Sequence, residues 1–141
     1  KLAIIHRACY IAKSNLPKLQ EEGWLEQQNW IGWTDKQRRP IGKIAKEYPR
    51  FSSKHKIATA KLQAVATRKG MGIGILPCFV GDKDPELVRI PPYTSEEKYD
   101  LWILSHPDLR KNAKIQTFVR FMTEFVQGKK DLLEGREFVR P

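Results

Sequence analysis

A short apolar run at residues 72–76 constrains the fold more than any other feature of the sequence. It follows residues 60–69, whose apolar positions have helical spacing, and Pro77 closes it. A continuous apolar run of this length is typical of a strand that is buried on both faces of a sheet. Such a strand needs helices above and below it. The run therefore predicts an α/β fold in which at least some strands pair in parallel.

Strands and helices alternate along the rest of the chain, which indicates the same fold class. Runs rich in β-forming residues predict further strands at residues 7–12, 28–33, 54–58, 87–90 and 99–104. Helical spacing predicts helices at residues 17–25, 40–48, 60–69 and 115–126. The charged tail from Lys129 onward carries no clear pattern.

The helix at residues 60–69 has recognisable ends. The Thr59 hydroxyl can accept a hydrogen bond from an amide of the first turn, and Asn112 can cap the last long helix in the same way. Gly70 stands where a helix commonly ends in a left-handed residue. Within this helix the expected inward residues are Leu62, Val65 and Ala66.

Three glycines, Gly70, Gly72 and Gly74, invite comparison with a nucleotide-binding loop. A phosphate site needs a strand, then the glycines, then a helix N-terminus. Here the helix comes first and the strand follows, so the glycines meet a helix C-terminus. A tight connection from helix to strand explains them better, and no cofactor is expected.

Neither the cysteines nor the histidines form a recognisable catalytic or metal-binding motif. Cys9 and Cys78 lie on or beside apolar strands and are expected to be buried and inert. No Cys/His cluster has zinc spacing, and no nucleophile motif accompanies the histidines. We expect His6, His55 and His106 at the surface or in loops, and no enzymatic activity.

The charge distribution suggests one alternative function. The chain carries a net charge of +10, and residues 1–56 hold 12 Lys and Arg against 5 Asp and Glu. A basic patch of this kind attracts phosphates, and aromatic residues are interleaved with it. Solvated lysines on helix faces are the simpler explanation, and no nucleic-acid-binding motif supports the other. The patch runs from residue 36 to residue 56.

Three strand ends form the candidate binding region. Trp33 and Thr34 end one predicted strand, Leu76 and Pro77 end another, and Thr59 begins a helix after a third. Open α/β sheets bind ligands at the carboxyl ends of their strands, and a helix N-terminus suits a small anion. An ordinary cap and two core strands would explain the same residues, and both interpretations stay open at this stage.

Several segments resemble, in order and spacing, the effector-binding domain of LysR-type transcriptional regulators. The helix, the Gly-hydrophobic-Gly-Ile strand and the Leu-Pro of residues 61–77 are the most specific part. Residues 84–90 are similar to the family's Leu-Val-Arg strand, and residues 99–109 to its Leu-Trp-Leu-Leu-x-His-Pro-Asp-Leu strand. Residues 115–126 resemble its terminal helix, and residues 8–16 its crossover strand.

The resemblance implies a fold like that of type 2 periplasmic binding proteins, in which a small effector binds between two α/β subdomains. Residues 1–98 would be the second subdomain, and residues 99–141 would return to the first. The opening half of the first subdomain and a winged helix-turn-helix DNA-binding domain would lie outside this sequence. Exposed apolar surface is then expected over residues 99–126.

The resemblance also implies a function and a set of site residues. The function is that of a cytoplasmic bacterial regulator domain that senses a small, anionic metabolite; the full-length protein would bind DNA as a homodimer or homotetramer. The alternatives are a solute-binding protein of the same fold and a basic nucleic-acid-binding module. No membrane partner is implied. The implied effector-binding residues are Trp33, Thr34, Thr59, Ala60, Leu76, Pro77 and Phe79.

Overall fold

A computed structural model describes residues 1–33, residue 46 and residues 52–139. Within these residues six strands form one sheet in the order β3-β2-β4-β1-β5, with β6 also paired to β1. The strands are β1 (Ala3–Ala12), β2 (Trp30–Gly32), β3 (Ser53–Lys56), β4 (Ile73–Pro77), β5 (Leu87–Arg89) and β6 (Glu96–Leu101). The helix expected at residues 40–48 lies outside the described residues.

The sheet is mixed. Strand β2 pairs in parallel with β3 and with β4, which confirms the predicted parallel pairing. Strand β1 is antiparallel to β4, β5 and β6. One edge of β1 pairs with β4, for example Arg7 with Pro77. The opposite edge pairs first with β6, up to Arg7 with Glu96, and then with β5, from Tyr10 with Arg89 onward.

Helices α1 (Ala60–Arg68), α2 (Cys78–Gly81), α3 (Ala113–Gln127) and α4 (Lys130–Leu133) complete the described fold, together with 3-10 helices at Lys13–Gln20, Leu25–Gln27 and Pro107–Leu109. The predicted caps of α1 and α3 are confirmed. Thr59 Oγ1 accepts from the Leu62 amide at 3.3 Å, and Asn112 Oδ1 accepts from the Lys114 amide at 3.0 Å. Gly70 adopts the expected left-handed conformation, with φ +73°.

Each face of the sheet carries a core. On one face the core consists of Cys9, Ile11, Trp30, Ile73, Ile75 and Ile90, against which residues of the two 3-10 helices near the N-terminus pack. On the other face, Ala64 of α1 and Cys78 of α2 form a core with the strand residues Ala8, Tyr10, Leu76 and Leu87. Burial on both faces is what the apolar run predicted for β4.

The inward face of α1 differs from the prediction. Leu62 and Val65 are 57% and 37% exposed, whereas Gln63, Ala64, Ala66 and Thr67 are buried. Of the expected inward residues, only Ala66 is buried. Gln63 finds a partner on the inward side, where its side-chain amide donates to the Ile57 carbonyl at 2.7 Å. The Thr67 hydroxyl is satisfied within the helix itself, because it donates to the Gln63 carbonyl at 2.8 Å.

Gly74 makes room for this arrangement. A Cβ at residue 74 would lie 2.3 Å from Thr67 Oγ1, closer than side-chain atoms can approach. The glycine of β4 therefore lets α1 pack closely on the sheet through a threonine. Two other predicted elements also differ: residues 17–25 form 3-10 turns rather than an α-helix, and β6 is Glu96–Leu101 rather than residues 99–104.

Exposed apolar side chains cluster where the resemblance led us to expect them. Within residues 99–126, Trp102 is 56% exposed, Leu104 is 87% exposed, and Phe118, Phe121 and Phe125 are each more than half exposed. In α3 the one fully buried residue among those described is Val126. No helix in the described part of the chain is long and apolar enough to cross a membrane.

The C-terminal tail is more ordered than its sequence indicated. After α4, Glu134 and Gly135 are buried, and the Gly135 carbonyl accepts from the Arg89 guanidinium at 3.0 Å. Phe138 places its ring 4.4 Å from the Arg89 guanidinium carbon and stacks on Tyr93. The tail therefore packs back on β5 and α2.

Candidate ligand-binding site

Three parallel strands end at one edge of the sheet. Pairing of Ile31 with Gly74 joins β2 to β4, and pairing of Gly32 with Lys56 joins β2 to β3. Because the strands run in the same direction, the residues that follow them meet at one edge: Trp33 after β2, Pro77 at the end of β4, and Thr59 after β3.

A small cavity lies beside the ends of β2 and β4; we call it the strand-end cavity. Its enclosed part measures about 10 Å³, which is room for one water-sized group. Strands β1 and β6 form its other walls. The lining residues are Ile5, His6, Arg7, Trp33, Ile75, Pro77, Lys98 and Tyr99.

Three of these residues, His6, Arg7 and Lys98, carry basic side chains. Arg7 and Glu96 form an ion pair in which both side chains are 10% exposed, and Arg7 Nε donates to Glu96 Oε1 at 2.7 Å. His6 Nδ1 lies 3.1 Å from Ser95 Oγ. The Lys98 ammonium lies over the Tyr99 ring, 5.2 Å from its centroid.

The start of α1 is held against the strand ends by one side chain. The Gln63 amide nitrogen donates to the Ile57 carbonyl at 2.7 Å and lies 3.4 Å from the Gly32 carbonyl, so it ties the segment before Thr59 to the end of β2. Gln63 is fully buried, and its amide oxygen has no hydrogen-bond partner within the described ranges. Thr59 itself is exposed.

The structure brings two of the seven implied site residues, Trp33 and Pro77, into the lining of the strand-end cavity. Leu76 is fully buried in the core beneath α1, because alternate residues of β4 face opposite sides of the sheet. Phe79 lies on α2, 37% exposed, and Ala60 is half-buried at the start of α1. Thr34 lies outside the described residues.

Sequence reasoning missed the contribution of β1 and β6. His6 is a half-buried strand residue rather than a surface or loop residue. The other lining residues from these strands are Ile5, Arg7, Lys98 and Tyr99. They reach the site through antiparallel pairings between residues about 90 positions apart, for which no local motif gives a signal.

A second polar cluster is buried at the other end of β1. Arg89 and Asp82 form an ion pair with side chains 3% and 5% exposed, joined by an Nε to Oδ1 hydrogen bond of 2.8 Å. The Tyr10 hydroxyl donates to Asp82 at 2.8 Å. Burial raises the pKa of Tyr10, and the neighbouring Cys78 and Asp82 raise it further, so its hydroxyl stays protonated.

Both cysteines are buried free thiols, as predicted. Burial raises the pKa of Cys78 to about 11, and a protonated buried thiol is a poor nucleophile. Among the residues that the structure describes, no group of three His, Cys, Asp or Glu side chains could hold a metal ion.

Comparisons with known proteins give a single kind of match. No protein-family model matches the sequence, and no curated protein matches it either. The structure is similar to full-length LysG of Corynebacterium glutamicum, with a TM-score of 0.48, 14% identity, and coverage of 99% of this chain and 46% of that one. LysG is a LysR-type regulator.

A second structure of LysG, determined with bound effector Arg, gives a TM-score of 0.48, 13% identity, and coverage of 99% of this chain and 47% of that one. The chain therefore spans less than half the length of the LysG chains that it matches.

Proposed function

We propose that this chain is an effector-binding regulatory domain of a bacterial, cytoplasmic LysR-type transcriptional regulator. The observation that carries the proposal is the strand-end cavity, formed where parallel β2 and β4 end beside Arg7 of β1. Ligand sites of open α/β sheets lie at such strand ends. The order of motifs along residues 61–126 supports the same family.

The proposed fold is that of a type 2 periplasmic binding protein, with residues 1–98 as the second subdomain and residues 99–141 returning toward the first. A small molecule would bind between the subdomains, with Trp33 and Pro77 as apolar walls. Thr34, Thr59, Ala60, Leu76 and Phe79 remain proposed members of the site. Thr59 and Phe79 would contribute from its rim, and Leu76 only from beneath, because it is fully buried.

Ligand-dependent closure of the subdomains would carry the signal. Strands β1 and β6 pair side by side from Ala3 to Arg7, so they would form the connection that bends. In the full-length protein, closure would change how a winged helix-turn-helix binds DNA within a homodimer or homotetramer. The role is regulatory binding rather than catalysis.

A screen of small organic acids, amines and sugars by thermal unfolding tests the binding function. A ligand at about a hundred times its Kd stabilises a protein by about 2.7 kcal/mol, which is readily detected. We expect a ligand that stabilises the wild type to stabilise Trp33→Ala much less. Trp102→Ala is the matched control, because Trp102 is an exposed tryptophan outside the cavity lining. An equal ligand response in Trp33→Ala would contradict the assigned site.

Two other functions make different predictions. A transport solute-binding protein of the same fold would carry a signal peptide upstream, whereas a regulator would carry a helix-turn-helix. A nucleic-acid-binding module would use the basic patch, most of which lies outside the described residues; Lys54 and Lys56 are exposed on β3. Tight, sequence-selective DNA binding by this chain would favour the module, whereas weak, steeply salt-dependent binding would not.

A further inference from the structure

The cationic side chains of the strand-end cavity differ in whether they are already neutralised. The Arg7 guanidinium is paired with Glu96, and the His6 ring lies beside the Ser95 hydroxyl. Among the side chains that the structure describes, Lys98 forms no ion pair, and the Tyr99 ring is its observed contact. An aromatic face attracts an ammonium less strongly than a carboxylate partner does in a partly enclosed site.

The walls of the cavity limit what can enter it. Its enclosed part accepts one water-sized group, so a ligand can insert an atom such as a carboxylate oxygen but not a ring. Trp33, Pro77 and Ile75 present apolar surface beside that point. A ligand with one small charged end and an apolar body would satisfy both the charge and the walls.

We propose that Lys98 is the anion-pairing residue of the strand-end cavity, and that its ligands are small carboxylates whose apolar body packs on Trp33 and Pro77. This inference rests on the proposed function and names the chemistry of the ligand. It assigns the charge recognition to Lys98 rather than to Thr59. Thr59 is outside the cavity lining, whereas Lys98 is part of it.

Three probes of one shape separate charge from packing: benzoate, benzamide and benzylammonium. Calorimetric titration of the wild-type chain at fixed ionic strength is expected to give benzoate an affinity at least about tenfold higher than the two others. Benzamide tests packing without charge, and benzylammonium tests the opposite charge.

Variants then assign the charge to a residue. Lys98→Met and Lys98→Gln are each expected to weaken benzoate binding about tenfold, and Lys98→Arg to retain it within about threefold. Lys18→Met is the matched control, because Lys18 is an exposed lysine of the first 3-10 helix, remote from the cavity lining. Circular dichroism and thermal unfolding show that each variant is folded.

Two patterns of failure are distinguishable. If benzamide binds as well as benzoate, or if both Lys98→Met and Lys98→Gln keep the wild-type affinity for benzoate, the role of Lys98 is overturned while the binding function stands. If none of the three probes binds, and no compound in the thermal screen does, both the role of Lys98 and the proposed function are overturned.

Discussion

Two arginine–carboxylate pairs lie along strand β1, one beside Tyr10 and the other at Arg7, and the two pairs differ in what surrounds them. Arg89 of the first pair binds Asp82, lies 3.3 Å from the Tyr10 hydroxyl and 3.0 Å from the Gly135 carbonyl, and is covered by Phe138. The second pair, Arg7 with Glu96, lines a cavity beside Lys98. In the first pair, which we call the closed pair, side chains and the C-terminal tail occupy the space around the arginine. In the second pair, Lys98 brings a further positive charge to the same cavity.

By cavity volume alone, the region around Arg89 would be the better candidate for a binding site than the strand-end cavity. A cavity of about 270 Å³ adjoins Tyr10, Asp82 and Arg89, far larger than the enclosed part of the strand-end cavity. Its charged groups are nevertheless committed to each other and to the C-terminal tail. The proposed site is therefore chosen by the charge that is left for a ligand rather than by cavity volume.

The largest expected effect is the loss of the closed pair. Arg89→Met leaves the Asp82 carboxylate buried without its cation, which costs about 3–5 kcal/mol of unfolding free energy. Guanidinium denaturation measures the loss. Lys83→Met is the matched control, because the Lys83–Glu137 pair is exposed and is worth about 1 kcal/mol or less. Equal stability of the two variants would remove the distinction between a closed pair and a surface pair.

Gly135→Ala tests whether the tail is fixed on Arg89. Gly135 has φ +68°, and a Cβ there would lie 2.4 Å from an Arg89 nitrogen and 2.6 Å from Cys78 Sγ. Backbone strain and atomic overlap together are expected to lower the free energy of unfolding by about 2–4 kcal/mol. Gly128→Ala is the control, since Gly128 has φ −65° and its nearest atoms are at 3.5 Å. A folded Gly135→Ala variant with wild-type stability would mean that the tail does not pack as described.

Glu96→Gln converts the second region into one with more positive charge. Removing the carboxylate weakens a hydrogen bond to a charged group, with an expected loss of about 1.5–3 kcal/mol in unfolding free energy. The Arg7 guanidinium then adds its charge to that of Lys98, so benzoate affinity is expected to rise while stability falls. Calorimetry and denaturation on the same preparation measure both changes. A fall in benzoate affinity would contradict the charge-based account of the cavity.

The smallest effect is expected at the α1 cap. Thr59→Ala removes the hydroxyl that accepts from the Leu62 amide and should lower the free energy of unfolding by about 1 kcal/mol. Thr59→Ser keeps a hydroxyl at this position and should retain most of the wild-type stability. Thermal unfolding of both variants tests this. A loss of several kcal/mol would mean that Thr59 supports more than the helix start.

The sequence predicted the parts of the fold that depend on local chemistry. The apolar run became β4, and Thr59, Gly70 and Asn112 capped their helices as expected. Those features depend on short-range hydrogen bonds and backbone conformation, which a few neighbouring residues determine.

Features that depend on distant pairing were less predictable. Gln63 faces inward and donates to the Ile57 carbonyl, and Thr67 is buried with its hydroxyl bonded within its own helix. Hydrophobic periodicity alone shows neither of these. The strand-end cavity needs β6 beside β1, and the Arg89 cluster needs the tail. Among the residues of the proposed site, the predicted strand ends pointed to Trp33 and Pro77 but not to Lys98, because a lone lysine carries no motif.

Hydrogen–deuterium exchange with and without benzoate tests the central claim most directly, because it compares the two regions in one experiment. We expect added benzoate to slow amide exchange at Trp33, Cys78, Lys98 and Tyr99 and to leave exchange around Arg89 and Gly135 unchanged. Slower exchange around Arg89 and Gly135 alone would contradict the account.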